Sequence, residues 1–219
     1  SLHLLVSGEQ FAILPTSRDH KKIGEGETGP NTGGMGVIAP DPTIPTKILN
    51  EILENIAKPT LSAFQSEEIN YRGILYIGLI LTTEGAKVLE FNVRLGDPET
   101  QLILPLFKED TVEVFLAAAK GTSLPERLTP TGQSAIAVVL AANGYPDSYD
   151  KGIPISLAEN LPEGVDVIHA GTKLDSNGNL VTSGGRVLNI VAMAESAGKA
   201  FDKVYNACSH NYFEKQYYR

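Results

Sequence analysis

The chain has 219 residues, 42% of them hydrophobic, which is enough for a sizeable core in one large domain or two small ones. Eighteen Lys and Arg against 26 Asp and Glu give a net charge of -8, so there is no basic footprint for nucleic acid or an anionic membrane. No apolar run approaches the ~20 residues of a membrane span. The opening residues do not read as a signal peptide, and the single cysteine, Cys208, excludes an internal disulfide and fits a reducing, cytoplasmic setting. Four His and one Cys make no zinc spacing.

Leu2 to Val6 and Phe11 to Leu14 are apolar runs separated by Ser7-Gly8-Glu9-Gln10, the pattern of a β-hairpin. The chain opens without an initiator Met and reads as cut from something longer. Ser17 to Lys22, SRDHKK, sets Arg18, Lys21 and Lys22 beside Asp19 and His20. Such a cluster fits a solvated face, or a site in which Asp19 and His20 contact an amine or a hydroxyl. Gly24 to Gly36, GEGETGPNTGGMG, has six glycines in thirteen residues, a density expected of neither helix nor strand interior. It can be a flexible connector, or a nest whose amides approach an anion closely. It has neither the G-K-[ST] ending of a Walker A loop nor the strand-to-helix setting of a dinucleotide fingerprint.

Pro40, Pro42 and Pro45 stiffen a connector. From about Thr46, the residues Ile48, Leu49, Ile52, Leu53 and Ile56 recur at helical spacing, and Pro59 should break or kink this helix before it resumes through Leu61 and Phe64. Ile74 to Leu81 is an almost wholly apolar strand, which Thr83-Glu84-Gly85 turns back into an antiparallel partner. On that partner Leu89, Phe91, Val93 and Leu95 point one way, toward a core. Glu90, Asn92 and Arg94 point the other way, about 6–7 Å between successive positions. Oxygen ligands from Glu and Asn suit Mg²⁺, and a guanidinium suits phosphate or carboxylate. By pattern alone this face fits a metal–polyphosphate or a solvated edge strand. After Gly96, Asp97 stands where a helix N-cap belongs, Pro98 at N1 and Glu99 in the first turn, and such a helix start would favour an anion. That helix should run into Pro105, and another, roughly Asp110 to Lys120, should stop at Gly121.

Composition shifts at Thr122 to Gln133, which places a domain boundary there. Ser134 to Ala142 and Val165 to Ala170 read as strands, Ser176-Asn177-Gly178-Asn179 as a hairpin turn before Leu180 to Thr182, and Arg186 to Met193 as a long strand. The last helix carries Ala197, Ala200, Phe201, Val204, Tyr205 and Cys208 on one face, which makes Cys208 a core residue. Ala170-Gly171-Thr172-Lys173 and Gly184-Gly185-Arg186 are polar-glycine clusters that either turn at strand ends or face a ligand.

SRDHKK, TGPNTGGMG (Thr28 to Gly36), YRGILYIGL (Tyr71 to Leu79) and LEFNVRLGDPETQ (Leu89 to Gln101) together resemble one family, phosphoribosylamine–glycine ligase, also called glycinamide ribonucleotide synthetase. NGYP (Asn143 to Pro146), HAGTK (His169 to Lys173) and SGGRVL (Ser183 to Leu188) extend the resemblance over essentially the whole chain. It implies an α+β fold: residues 1–122 as the larger lobe of an ATP-grasp domain and residues 123–219 as a small mixed α/β C-terminal domain. The family's N-terminal half, including the lid lobe that closes on ATP, precedes this point and would be the partner of this chain. The implied reaction joins glycine to 5-phosphoribosylamine through a glycyl phosphate, with ATP as co-substrate and Mg²⁺ or Mn²⁺ as metal, in purine biosynthesis. Glu90 and Asn92 would hold the metal and Arg94 would stabilise the transferring phosphoryl. Amides at Asp97–Pro98 and at Thr32, Gly33 and Gly34 would hold substrate anions, and Asp19, His20 and Lys21 would contact substrate. Many ATP-grasp enzymes place another acidic ligand on the preceding strand; Ile74 to Thr82 has none, so Glu90 would serve two ions. An ATP-grasp ligase of another carboxylate and amine, or a non-catalytic fragment serving as an interaction module, are the competing readings. The chain alone is expected to be inactive.

Overall fold

The computed structural model describes all of residues 1–219. The opening hairpin forms as its alternation implies: β1 (Leu2–Ser7) pairs antiparallel with β2 (Gln10–Ile13), and Gly8 turns between them at φ +63°. The next two stretches are more structured than glycine density suggests. They give β3 (Arg18–Asp19), β4 (Lys22–Gly24), β5 (Thr28–Asn31) and β6 (Gly36–Ala39), with β4 and β5 paired antiparallel. Helix α1 (Thr46–Ile52) passes through a π-helical turn, Leu53–Ala57, into α2 (Lys58–Ser66). Pro59 in the first turn of α2 has no N–H to donate, and the wide turn just before it absorbs the defect, so the helix is interrupted without ending.

Strands β7 (Arg72–Thr82) and β8 (Gly85–Asn92) form the expected hairpin, closing at Thr82 and Gly85. The helix expected to start at Asp97 is the main local correction. Residues 97–99 form a turn, and α3 (Thr100–Ile103) is only four residues long before a 3-10 turn, Leu104–Leu106. The Asp97 carboxylate accepts from the Gln101 side-chain amide at 2.9 Å. Helix α4 (Thr111–Lys120) matches its sequence signals, with the Asp110 carboxylate accepting from the Glu113 amide at 3.0 Å and Gly121 closing the end at φ +74°. There follow β9 (Ser134–Ala141), β10 (Ile155–Ser156), β11 (Val165–His169), β12 (Thr172–Leu174), β13 (Leu180–Thr182), β14 (Arg186–Ala194), α5 (Ala197–Cys208) and β15 (Tyr212–Phe213).

Two compact units form, neither continuous in sequence. The first holds Ser1–Arg18, Ala39–Gly96 and Ile103–Thr131; the second holds Asp19–Ile38, Asp97–Leu102 and Gly132–Arg219. The last hand-over between the units falls at Thr131–Gly132, past the expected 122/123 boundary, and composition carries no sign that Asp19–Ile38 and Asp97–Leu102 fold with the C-terminal residues. Asp19–Ile38 does so because β3 and β6 extend the C-terminal sheet, and Asp97 is hydrogen-bonded by Arg186 of β14.

In the first unit an antiparallel sheet runs β2-β1-β7-β8. Every residue of the central strand β1 is buried. Ile52, Leu53, Ala57 and Leu61 of the α1–α2 run pack on Leu2, Leu4, Val6, Leu75 and Ile77 from one face. On the other face the Ser7 hydroxyl donates to the Ala118 carbonyl of α4 at 3.0 Å. In the second unit a five-stranded sheet runs β11-β14-β9-β6-β3, with β14 antiparallel to both neighbours. Val204, Ala207 and Cys208 of α5 are buried against Leu140, Leu188 and Ile190. Burial pushes the Cys208 thiol up to about 12, so it is a core residue, as its place on the helix implied.

Candidate functional site

In the first unit the candidate metal residues lie on β8 and its continuation. Glu90 faces Gly78 and Asn92 faces Tyr76 across the β7–β8 pair. A bulge makes Leu89 an extra residue between the Val88 and Glu90 pairings, and the two-residue alternation resumes after it. The strand ends at Asn92, so Arg94 lies just past it, donating to the Leu95 carbonyl at 2.9 Å. Gly78 is the position that makes room: a Cβ there would come within 2.9 Å of the Glu90 Cγ. The opposite face departs from expectation. Leu89, Phe91 and Val93 are 65%, 47% and 73% exposed: β8 is the edge strand, and the helical run packs against it at Ala86. His3, fully buried on β1, was hidden in an apolar run. Its Nε2 accepts from the Gly96 amide at 3.1 Å, and its ring stands edge-on to Tyr76. Burial first, then the N-terminal ammonium and Arg94, lower its pKa to about 3, so it is a neutral acceptor that fixes the end of the Arg94 segment.

Glu90 and Asn92 supply a carboxylate and an amide oxygen on one face, a donor set that fits a hard, oxygen-preferring cation such as Mg²⁺ or Mn²⁺. No group of three or more His, Cys, Asp and Glu residues gathers as a metal cluster anywhere in the chain, the Glu90–Asn92 face included.

In the second unit Asp19, Gly33, Gly34, Asp97 and Pro98 come together. A Cβ on Gly34, whose φ is +115°, would meet Asp19 Oδ1 at 2.6 Å and Pro98 Cδ at 2.7 Å. Only glycine fits that closeness. Burial, then the neighbouring Glu99 carboxylate, pushes Asp19 up to about 7 against the pull of Lys21 and Arg186. Its Oδ1 is buried and has no hydrogen-bond partner. The amides of Thr32, Gly33 and Gly34 already have acceptors: the Lys21 carbonyl at 2.7 Å, the Tyr145 hydroxyl at 3.0 Å and the Thr32 hydroxyl at 3.0 Å. His20 lies 3.3 Å from Glu27, which also accepts from Arg219 at 2.9 Å. The glycine-rich segment is therefore pinned at both ends, and not a free connector. Tyr145 had no site role in the sequence, and Arg186 had one only as part of a glycine cluster that either turns at a strand end or faces a ligand; NGYP and SGGRVL contain them, but they stand 112 and 153 residues from Gly33.

Solved structures define the class. The chain superposes on the biotin carboxylase subunit of pyruvate carboxylase with a TM-score of 0.65 at 16% identity, over 98% of this chain and 45% of that one. At that identity the likeness is one of fold, and the fold is the ATP-grasp fold. Sequence profiles take the assignment further. Residues 1–100 match the phosphoribosylglycinamide synthetase ATP-grasp (A) domain and residues 135–219 match the C domain of the same synthetase. The chain belongs to the phosphoribosylglycinamide synthetase family. It is 47% identical over its full length to a phosphoribosylamine–glycine ligase of Caldanaerobacter subterraneus, covering 52% of that protein. It is 43% identical over 97% of its length to 21% of the human trifunctional purine biosynthetic protein adenosine-3. The crystal structure of the Thermotoga maritima phosphoribosylamine–glycine ligase matches at TM-score 0.90 and 40% identity, over all of this chain and 54% of that one. The chain thus spans about half the length of the ligases it matches. No helix is long and apolar enough to cross a membrane.

Proposed function

We propose that this chain is part of a phosphoribosylamine–glycine ligase, joining glycine to 5-phosphoribosylamine at the expense of ATP. The observation that carries the reading is the 47% identity to such a ligase along the whole chain, in a fold that sets Glu90 and Asn92 on one face of β8 with Arg94 next in line. Glycine carboxylate would attack the γ-phosphorus of ATP, forming a glycyl phosphate and releasing ADP. The amine of phosphoribosylamine would then attack the glycyl carbonyl, giving glycinamide ribonucleotide, phosphate and one proton. Such chemistry needs positioning and charge neutralisation more than acid–base groups.

Glu90 and Asn92 would hold Mg²⁺ or Mn²⁺ through their oxygens; the ion would offset phosphate charge. Arg94 would offer a planar fork to the phosphoryl oxygens, two parallel bonds where a lysine offers a point charge. Asp19, His20 and Lys21, with the backbone at Thr32, Gly33, Gly34, Asp97 and Pro98, would bind and orient the two smaller substrates. An incoming anion would have to take the Gly33 or Gly34 amide from Tyr145 or Thr32, so these segments would act through their shape and through exchanged hydrogen bonds. The remaining half of the ligase would complete the ATP site.

The test is phosphate release by the complete ligase polypeptide carrying this chain. Release should require ATP, Mg²⁺, glycine and phosphoribosylamine together. Turnover with another carboxylate and amine, and none with this pair, would overturn the assignment in favour of a different ATP-grasp ligase.

A further inference from the structure

The Arg186 guanidinium has a geometry that the functional reading leaves unused. Its Nη1 donates to the Gly33 carbonyl at 2.8 Å and to the Asp97 carbonyl at 2.7 Å, and its Nη2 donates to Asp97 Oδ2 at 3.1 Å. Gly33 and Asp97 belong to two separate segments, and one side chain from the start of β14 ties them together. Three acceptors on a planar fork fix orientation as well as distance, which an ammonium cannot do.

The surrounding glycines are shaped for this placement. A Cβ on Gly33 would sit 3.0 Å from Arg186 Cζ, so the guanidinium lies flat against bare backbone. A Cβ on Gly185 would meet the Tyr145 ring at 2.2 Å, so glycine there lets the ring lie close enough for its hydroxyl to accept from the Gly33 amide. A Cβ on Gly171 would meet Gly184 at 2.5 Å, so the backbones of the HAGTK and SGGRVL segments cross in direct contact. The glycines of the two polar clusters thus serve close packing, and the arginine that follows is the group they deliver.

We infer that Arg186 is a positioning residue: supplied by the C domain, it holds the Gly33–Gly34 turn and the Asp97–Pro98 turn as one preformed surface for the substrates of the ligase. The inference rests on the functional reading above for the identity of those substrates. It does not require Arg186 to touch them.

The experiment compares Arg186→Ala, Arg186→Lys and wild type in the complete ligase polypeptide. Loss of positioning raises KM for glycine or phosphoribosylamine by about tenfold or more while KM for ATP and the melting temperature stay close to wild type. Added methylguanidinium should restore KM in Arg186→Ala, and lysine should not rescue. An unchanged KM for both substrates in a folded Arg186→Ala enzyme would overturn the inference. If Arg186→Ala melts early, Tyr145→Phe, which removes only the hydroxyl on the Gly33 amide, carries the same comparison with the same two outcomes.

A second readout separates this inference from the functional reading. In the 219-residue chain, amide exchange at Gly33 and Leu102 should quicken about tenfold or more in Arg186→Ala, with Ile190 in the sheet unchanged. If wild type fails to use glycine and phosphoribosylamine but this exchange pattern appears, the substrate assignment falls and the clamp stands. If exchange at Gly33 and Leu102 is unaltered, the clamp falls.

Discussion

His3 is buried and Asp19 is half-buried with its Oδ1 enclosed, and desolvation moves the two in opposite senses for stability. His3 stays neutral in the fold down to about 3, whereas an unfolded histidine takes its proton near 6.5. Between those values the unfolded chain binds more protons, so stability rises with pH: the His3 contribution is complete above about 6.5 and is lost as pH falls toward 3. Asp19 is raised to about 7 from 3.8, so between those values the folded chain binds more protons. Its contribution is complete below about 4 and is lost as pH rises through 7. Urea unfolding of the 219-residue chain across this range checks both. His3→Gln should flatten the acid-side loss, and Asp19→Asn should raise stability at neutral pH by on the order of a few kcal/mol. An Asp19→Asn chain no more stable than wild type at pH 8 would show that the carboxylate is solvated.

At the scale of elements, β8 is where expectation and structure part. Alternation correctly separates Glu90 and Asn92 from Phe91, since the pairings to Gly78, Tyr76 and Ile77 put them on opposite faces. It cannot say whether a face has a cover, because cover comes from elements distant in sequence. Phe91 is 47% exposed at the sheet edge, while its cross-strand partner Ile77 is fully buried. Phe91→Ala should therefore cost the 219-residue chain less than about 1.5 kcal/mol, and Ile77→Ala about 2–5 kcal/mol. Thermal melts of the two variants make the comparison; equal costs would mean that β8 is covered. The same limit explains the segment after Gly96. Asp97, Pro98 and Glu99 carry N-cap and first-turn chemistry, yet Asp97 is engaged by Gln101 and Arg186 and the helix begins at Thr100. By contrast α4 was legible at both ends, because Asp110 and Gly121 act on their own neighbours. Asp110→Ala should cost about 1 kcal/mol, read in the same melts.

At the scale of the whole molecule, the family motifs pointed to the family that the comparisons show. Neither motifs nor composition showed that Asp19–Ile38 and Asp97–Leu102 fold with the C-terminal residues, because strand pairing by β3 and β6, and side-chain bonds from Arg186 to Asp97, reach across many residues and leave no local trace. The shared face of Glu90 and Asn92 was readable from alternation; the contacts of His3, Tyr145 and Arg186 were not, since each depends on a distant backbone partner. The chain spans about half of the ligases it matches, and an ATP-grasp site is built from two lobes. The 219 residues alone should give no glycine-dependent phosphate release above background, because closure over the triphosphate needs the other lobe. Turnover in the ordinary enzyme range of about 1–10³ s⁻¹ from this chain alone would refute that requirement.

The central claim is that the Glu90–Asn92 face holds the metal on which phosphoryl transfer depends. A Mg²⁺ titration of steady-state phosphate release tests it most directly, run on the complete ligase polypeptide as wild type, Glu90→Gln and Asn92→Ala. Glu90→Gln keeps the shape and removes one negative charge from a hard-cation site. Saturated activity should fall by on the order of 10²-fold, with half-saturation moved to higher Mg²⁺, and Asn92→Ala should move both in the same direction. Two variants with wild-type Mg²⁺ half-saturation and activity would put the metal elsewhere and contradict the account.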